Sequence, residues 1–255
     1  MLFLKRQRKA WMCLSPFRKR KKKSMSVTNM VLVHGAWVDG SSWSGVIERL
    51  QKAGYTVTAV QLDLTGLSED VERVRQVLSA QTRPTILVAH SFGGAVITKL
   101  GKDTPNVVGL VYVSAFAPDE GETMKGLITG GPQPAGGAAI RPDEYGYIWL
   151  DRNGFVQYFA PDVEPAQARV LASVQKPIAT NSFLGEDPFG EPAWKSLPSW
   201  YLVTEQDQMI LPDAQRFMAQ RAGATISSIA ASHVSMLSHP DVVATLIVRV
   251  AELVE

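Results

Sequence analysis

TILVAHSFGGAV, residues 85–96, is the stretch that decides the fold. Its first five residues are apolar or β-branched and predict a buried strand, and the run of small residues after Phe92 predicts a helix. Ser91 stands in the tight turn between them, with Ala89 and Gly93 two positions to either side. Small residues are needed there because strand and helix backbones pass close together. Ser91 is therefore a candidate nucleophile, although a serine in such a turn is more commonly a helix cap.

Apolar runs alternate with helical periodicity on both sides of this turn. Such regular alternation predicts an α/β fold, with a mostly parallel sheet and helices on both of its faces. The predicted strands are 30–34, 55–60, 85–89, 107–114, 200–204 and 225–230, and the predicted helices are 43–53, 68–78, 92–100, 212–221 and 240–254.

The alternation is interrupted between residues 118 and 194. A stretch of about 75 residues without a clear strand is too long for an ordinary connection, so we expect an inserted helical cap at 118–194. The core would then consist of residues 25–117 and 195–255. Aromatic residues of the cap could form its own core or the wall of an apolar substrate pocket. They are Tyr145, Tyr147, Trp149, Phe155, Tyr158 and Phe159.

Charge is distributed unevenly along the chain. Residues 1–24 hold ten Lys or Arg and no acidic residue, whereas the other 231 residues hold 16 basic and 24 acidic ones, a net charge of −8. An acidic globular part argues against a nucleic-acid partner. Because blocks of like charge do not pack, we expect residues 1–24 to be a disordered extension rather than a targeting arm or basic patch. Residues 1–24 could also be an upstream extension that is not normally translated, in which case Met25 and Met30 are candidate first residues of the protein.

The composition is typical of a soluble enzyme, with 45% apolar and 20% charged residues, and 255 residues suit one domain. No run of about 18 apolar residues exists, so no membrane span is predicted. Cys13 is the single cysteine, and no Cys/His cluster has the spacing of a zinc site. The glycine-rich segments fit neither phosphate-loop nor dinucleotide patterns. We expect a cytoplasmic monomer or homodimer without a cofactor.

The turn at Ser91 resembles the nucleophile elbow of α/β-hydrolases, G-x-S-x-G, with Ala89 in its first position. The first strand ends in VLVHGAWVDGSSW, residues 31–43, and here the chain resembles small esterases of the plant methyl-esterase and hydroxynitrile-lyase type and their bacterial relatives. This resemblance covers about residues 30–254. It implies an oxyanion hole formed by the backbone N–H groups of Ala36 and Phe92.

The resemblance also implies a general base. His233 lies in the loop after the last predicted strand, where the family places its catalytic histidine, and it completes the order Ser, Asp, His. His239 precedes Pro240 and is interpreted as a helix-start residue. We expect His34 to order the loop after the first strand, and His90 to point away from the site.

The acid of the predicted triad should follow the preceding strand. Asp207, in YLVTEQDQMILPD, aligns with the acid of the family and would hold the imidazole in the required tautomer. Glu205 and Asp213 are nearby alternatives, interpreted as exposed or helix-capping residues. Asp119 is a further alternative, because some members of the wider fold place the acid after the fourth strand.

These residues predict a serine hydrolase that cleaves a small-molecule ester through an acyl-enzyme on Ser91. A lactone or thioester substrate is equally compatible with the triad. The lyases carry a lysine after the catalytic histidine and a threonine in the loop, where this chain has Val234 and Gly35. Both differences favour hydrolysis. A ligand-binding protein on the hydrolase scaffold is the alternative of a different class, and it usually lacks one triad member.

Overall fold

The computed structural model describes residues 26–254 except 103 and 105. The predicted extension at residues 1–24 and the candidate start at Met25 lie outside the described residues. The strands of the described part are β1 (Asn29–Val33), β2 (Thr56–Val60), β3 (Thr85–His90), β4 (Val107–Val113), β5 (Ile140–Pro142), β6 (Tyr147–Leu150), β7 (Ile178–Ala179), β8 (Ser199–Thr204) and β9 (Thr225–Ile229).

Helices cover both faces of the main sheet. In the described part they are α1 (Ser44–Lys52), α2 (Leu67–Ser79), α3 (Phe92–Lys99), α4 (Met124–Thr129), α5 (Arg152–Gly154), α6 (Pro165–Val174), α7 (Thr180–Phe183), α8 (Pro212–Arg221), α9 (Ser235–Ser238) and α10 (Pro240–Leu253). The α/β prediction is confirmed, and each predicted core element agrees with the observed bounds to within one residue at either end. Within this part of the chain, no helix is long and apolar enough to cross a membrane.

The main sheet has six parallel strands in the order β2-β1-β3-β4-β8-β9. β3 lies in its interior and every residue of it is buried, which explains the continuous apolar run in the sequence. β1 has β2 on one side and β3 on the other, so the strand order reverses direction at β1. Ligands of open α/β sheets bind at such a switch point, beyond the carboxyl ends of the strands.

The segment 118–194 contains short helices, as expected, and in addition a three-stranded antiparallel sheet that the sequence analysis did not predict. Its strands β5, β6 and β7 are two to four residues long, too short to produce a readable alternation. Phe155 and Phe159 are fully buried in the hydrophobic core, whereas the side chain of Tyr145 is exposed.

A buried carboxyl lies in the first turn of α2. Asp70 is completely buried, its Oδ1 accepts a hydrogen bond of 3.0 Å from the Leu64 N–H, and its Oδ2 has no hydrogen-bond partner among the described residues. Burial therefore raises the pKa of Asp70 to about 6. A carboxyl whose pKa is higher in the folded than in the unfolded chain stabilises the fold in acid and loses that stabilisation as the pH rises.

We expect Asp70→Asn to remove this pH dependence. The difference in free energy of unfolding between the variant and the wild type should shift by about 2 kcal/mol in favour of the variant between pH 4 and pH 7. Urea unfolding of both proteins at several pH values measures this difference. The contributions of the other titrating groups are the same in both proteins and cancel when the two free energies of unfolding are subtracted. A difference that stays constant with pH would contradict the assignment.

Candidate active site

Ser91 lies in a strained turn between β3 and α3. Its backbone has φ +52° and ψ −123°, a conformation that non-glycine residues rarely adopt, and its carbonyl accepts hydrogen bonds from the N–H groups of Gly94 (2.9 Å) and Phe116 (3.1 Å). A Cβ atom at Gly93 would lie 2.6 Å from the His34 carbonyl oxygen, and one at Gly94 would lie 2.3 Å from that of Phe116. The small residues predicted at the turn are therefore a packing requirement.

Gly94→Ala should be strongly destabilising. Its new methyl group would meet the backbone carbonyl of Phe116 and cannot be relieved by rotation of a side chain, so we expect a loss of about 3 kcal/mol in the free energy of unfolding. Urea unfolding measures it. The matched control is Gly190→Ala, where a Cβ atom meets nothing within 4 Å and a change below about 0.5 kcal/mol is expected. Equal stability of the two variants would contradict the packing argument.

The structure brings Ser91, His233 and Asp207 together in one hydrogen-bonded chain. His233 Nε2 lies 2.8 Å from Ser91 Oγ, and His233 Nδ1 lies 2.7 Å from Asp207 Oδ2. All three side chains are buried. Because the carboxylate accepts from Nδ1–H, Nε2 is left free to accept the proton of the serine hydroxyl.

Asp207 is held by four further donors. Thr204 Oγ1 (3.0 Å) and Gln215 Nε2 (2.7 Å) donate to its Oδ2, and the N–H groups of Met209 (2.7 Å) and Ile210 (3.0 Å) donate to its Oδ1. Gln215 is fully buried and was not among the residues predicted for the site. A signal existed, because Gln215 shares one buried stripe of α8 with residues 218 and 219.

The loop that carries His233 is fixed through its backbone. The carbonyl oxygen of His233 accepts from His90 Nε2 (2.9 Å) and from Ser114 Oγ (3.0 Å). Burial holds the pKa of His90 well below its ordinary value, so the ring is neutral. Because the carbonyl oxygen of His233 can only accept a hydrogen bond, the proton of the His90 ring is on Nε2. The His90 and His233 rings are 4.7 Å apart. His90 does not line the cavity, but its contact with His233 was not expected.

Asp162 of the 118–194 segment contacts the same loop on both sides of His233. It accepts hydrogen bonds from the Ser232 N–H (2.8 Å), from the Ser232 hydroxyl and from Ser238 Oγ (3.0 Å). His239 is the residue that precedes α10, as predicted, and its Nδ1 bonds Ser238 Oγ at 2.9 Å. The inserted segment thus fixes the loop of the candidate base.

The loop after β1 passes directly beside Ser91. A Cβ atom at Gly35 would lie 2.7 Å from the Ser91 Cβ, so the backbone approaches the serine as closely as it can. His34 orders this loop, as expected: its Nδ1 bonds the Gly35 carbonyl oxygen (2.8 Å), and its Nε2 accepts from the Leu62 N–H (3.0 Å). Burial lowers the pKa of His34 to about 4 and keeps the ring neutral.

The two predicted oxyanion donors belong to this loop and to the turn. Ala36 follows Gly35 and is buried, and Phe92 is the first residue of α3, so its N–H has no acceptor within the helix. Trp37 has a strained φ of +62° and is held by a hydrogen bond of 3.1 Å from its Nε1 to the Ile148 carbonyl oxygen in β6.

The alternative acids lie elsewhere. Glu205 and Asp213 both form ion pairs with Arg216, and Asp119 pairs with Lys195. Asp213 is fully exposed, as expected, whereas Glu205 is half-buried, and neither is the N-cap of α8, which is Leu211. Among the described residues, no three His, Cys, Asp or Glu side chains come together in a group that could hold a metal ion.

A cavity of about 280 Å³ adjoins Ser91 and His233. None of the side chains that line it in the described part of the chain is charged, and most are apolar. Its aromatic wall residues are Trp37, Phe116, Phe183 and Phe217. The six aromatic residues highlighted in the sequence do not line it; Phe159 instead packs on the ring of His233, with 5.2 Å between centroids.

A parallel sheet with a serine at this turn is the arrangement of the α/β-hydrolase fold. Residues 30–246 match the model of the alpha/beta hydrolase family, and the chain belongs to this family. It is therefore an enzyme, and the resemblance to plant methyl esterases and their bacterial relatives is confirmed by the named relatives that follow.

Named relatives support the same class, and a solved structure shows the same fold. A pyrethroid hydrolase of Sphingobium wenxiniae is 28% identical, and the match covers 89% of both chains. Methylesterase 2 of Arabidopsis thaliana is 24% identical, over 88% of this chain and 96% of its own. The crystal structure of a pyrethroid hydrolase from Sphingobium faniae superposes with a TM-score of 0.77 at 24% identity, covering 89% of this chain and 98% of the other, which shows the shared fold.

Proposed function

We propose that this hydrolase cleaves neutral carboxylic esters through an acyl-enzyme on Ser91, with His233 as general base and Asp207 as its orienting acid. The observation that carries the proposal is the contact of Ser91 Oγ with His233 Nε2, 2.8 Å long, at the wall of an apolar cavity. A serine hydroxyl is a weak nucleophile until a base within hydrogen-bond reach takes its proton.

In the first step Ser91 Oγ attacks the ester carbonyl carbon while His233 Nε2 takes its proton. The negative carbonyl oxygen that develops accepts hydrogen bonds from the N–H groups of Ala36 and Phe92, and the N-terminus of α3 adds a favourable dipole. The imidazolium then gives its proton to the departing alcohol. A water molecule then attacks the acyl carbon of the acyl-enzyme while His233 takes its proton. The carboxylic acid leaves and Ser91 Oγ takes the proton back from His233.

The cavity wall supports a neutral, largely apolar substrate. A carboxylate or ammonium group of the substrate would lose its hydration without gaining a charged partner there, since the described lining has none. Apolar contact with residues such as Phe116 and Phe217 would instead favour hydrocarbon on the acyl or alcohol side. A cytoplasmic location and a monomeric or homodimeric state stay predictions.

Cyanohydrin cleavage is disfavoured by two positions. Val234 carries no charge to hold cyanide, and a threonine at Gly35 would need room that Ser91 and His90 occupy. Lactones and thioesters present the same carbonyl to Ser91 and stay alternatives. Ligand binding without turnover is disfavoured because the hydrogen-bonded chain from Ser91 to Asp207 is complete.

An activity screen with covalent labelling tests the proposal. We expect the protein to release p-nitrophenol from p-nitrophenyl acetate, and a serine-reactive phosphonate to stop the reaction with one adduct on Ser91. Methyl esters of aromatic acids, lactones and thioesters then define the acyl compound. Labelling of another serine, or cyanide release from mandelonitrile without ester cleavage, would overturn the proposal.

A further inference from the structure

Phe159 belongs to the 118–194 segment and lies behind the candidate active site rather than in its cavity. Its side chain is completely buried, and it is not among the residues that line the cavity in the described part of the chain. Its ring nevertheless contacts the rings of His233 (5.2 Å between centroids) and Trp37 (6.0 Å). Trp37 directly follows Ala36, the predicted oxyanion donor. One apolar side chain thus contacts both the candidate base and the loop after β1.

A wide helical turn places the ring of Phe159 there. Residues Phe155–Phe159 form one turn of π-helix, in which the Ala160 N–H donates to the carbonyl oxygen of Phe155, five residues earlier (3.0 Å). Turns of this kind are rare and frequently occur at functional sites. Phe155 is equally buried and packs on Phe159 with 4.6 Å between centroids, but among the described residues its ring contacts do not include His233.

Hydrogen bonds alone do not fix the plane of the His233 ring. Its bonds to Asp207 and Ser91 act on the two nitrogen atoms, at the edge of the ring. A ring that is held only at its edge can tilt, and packing against the ring has to prevent this. In the described part of the chain two rings pack there, those of Phe159 and His90. The three centroids form a triangle with sides of 4.7, 5.2 and 6.5 Å, so the two rings contact the imidazole from different directions.

The hydrogen-bond partner of His233 Nε2 changes during the proposed reaction. The partner is first Ser91 Oγ, then the oxygen of the leaving alcohol and then water. The ring must keep its orientation throughout, because a displacement of about 1 Å can cost about 100-fold in rate. Packing by an apolar side chain does not depend on which partner Nε2 has at a given step.

We propose that Phe159 is a positioning residue that holds the imidazole of His233 in the orientation in which Nε2 can pass its proton to the leaving alcohol; this inference rests on the function proposed above. Phe159 acts through His233 and does not touch the reacting atoms. With a smaller side chain at position 159 the imidazole can tilt, and steps that need its proton become slower.

Two esters with different leaving groups test the proposal. p-Nitrophenolate departs without a proton, whereas ethanol departs only when His233 Nε2 gives it one. We expect Phe159→Leu to lower kcat/KM for ethyl acetate about tenfold more than kcat/KM for p-nitrophenyl acetate. The ratio of the two values, measured on one sample, does not depend on how much active protein is present. Partial unfolding of the variant would therefore not imitate the effect.

The matched control is Phe155→Leu. It makes the same change in the same turn, at a side chain that is equally buried, and should leave the ratio within about twofold of the wild type. Phe159→Met is the second variant, because its long and flexible side chain can still reach the ring of His233. It should change the ratio less than Phe159→Leu does. If circular dichroism shows that Phe159→Leu is unfolded, Phe159→Met takes its place, with an expected change of at least about threefold.

Two further measurements separate positioning from a change in the cavity. Proton NMR detects the proton between His233 Nδ1 and Asp207 Oδ2 far downfield of the amide signals. Phe159→Leu should broaden this signal through faster exchange with solvent, and Phe155→Leu should keep it. Acetophenone, a neutral ketone that the enzyme cannot hydrolyse, should inhibit the wild type and Phe159→Leu with Ki values within about twofold, because Phe159 does not line the cavity.

The two proposals fail separately. If the wild type cleaves neither ester, the proposed function is wrong. If the wild type cleaves both and Phe159→Leu keeps the wild-type ratio or the wild-type NMR signal, positioning by Phe159 is wrong while hydrolysis stands. An equal change of the ratio in Phe155→Leu would also contradict the role of Phe159, since the effect would then come from packing within the segment alone.

Discussion

Ser91→Ala is expected to lower kcat for p-nitrophenyl acetate by at least about 10⁴-fold. The reason is the loss of the atom that forms the covalent bond: His233 could then act only on water, which no longer benefits from the strained turn that presents the serine. The side chain is small and buried, so the substitution removes one oxygen and leaves the packing of the turn intact. Steady-state kinetics with the purified variant measures the effect.

The matched control for Ser91→Ala is Ser173→Ala. Ser173 is an exposed serine of α6 whose hydroxyl bonds only the Arg169 carbonyl oxygen of its own helix, and its replacement should leave kcat within about twofold. Circular dichroism of both variants establishes that each is folded. If a folded Ser91→Ala protein retained wild-type turnover, another nucleophile would have to be found.

Asp207→Asn should lower kcat by about 10⁴-fold, with a smaller effect on KM. All five partners of the carboxylate donate hydrogen bonds to it, so an amide NH₂ group at this position finds no acceptor. If the NH₂ group faces His233, it must donate to Nδ1, and the imidazole proton then moves to Nε2. In that tautomer Nε2 can no longer accept the proton of Ser91.

Asp213→Asn provides the control for this substitution. Asp213 lies six positions further along the chain, is fully exposed, and should tolerate the same chemical change without loss of kcat. A kcat for Asp207→Asn within about tenfold of the wild type would mean that another acid orients His233.

The core of the fold could be predicted closely, because each strand of the parallel sheet is a short apolar run that ends at a turn. The three residues of the proposed triad could be selected for a related reason: Ser91 directly follows a strand of that sheet, and Asp207 and His233 lie in the loops that follow two other strands. Because the loops that follow parallel strands lie at the same edge of the sheet, the chain positions of Ser91, Asp207 and His233 were enough to predict that they lie close together.

The inserted segment could not be predicted in the same way. Its short strands pair with each other and carry no alternation, and the aromatic residues of the cavity come from four separate places in the chain. Asp162 lies 70 residues from Ser232, and nothing in the local sequence of either residue indicates their contact. Such contacts depend on tertiary packing alone.

The contacts of Asp162 with the 232–238 loop and of Trp37 with Ile148 have a consequence for protein engineering. Segments that select substrates are attractive parts to exchange between related enzymes, in the hope that specificity moves and turnover is kept. Here such a graft would remove contacts that hold both the loop after β1 and the 232–238 loop of the candidate active site. A chimera that keeps its rate has to import an acidic side chain at 162 and a carbonyl acceptor for the indole together with the foreign segment.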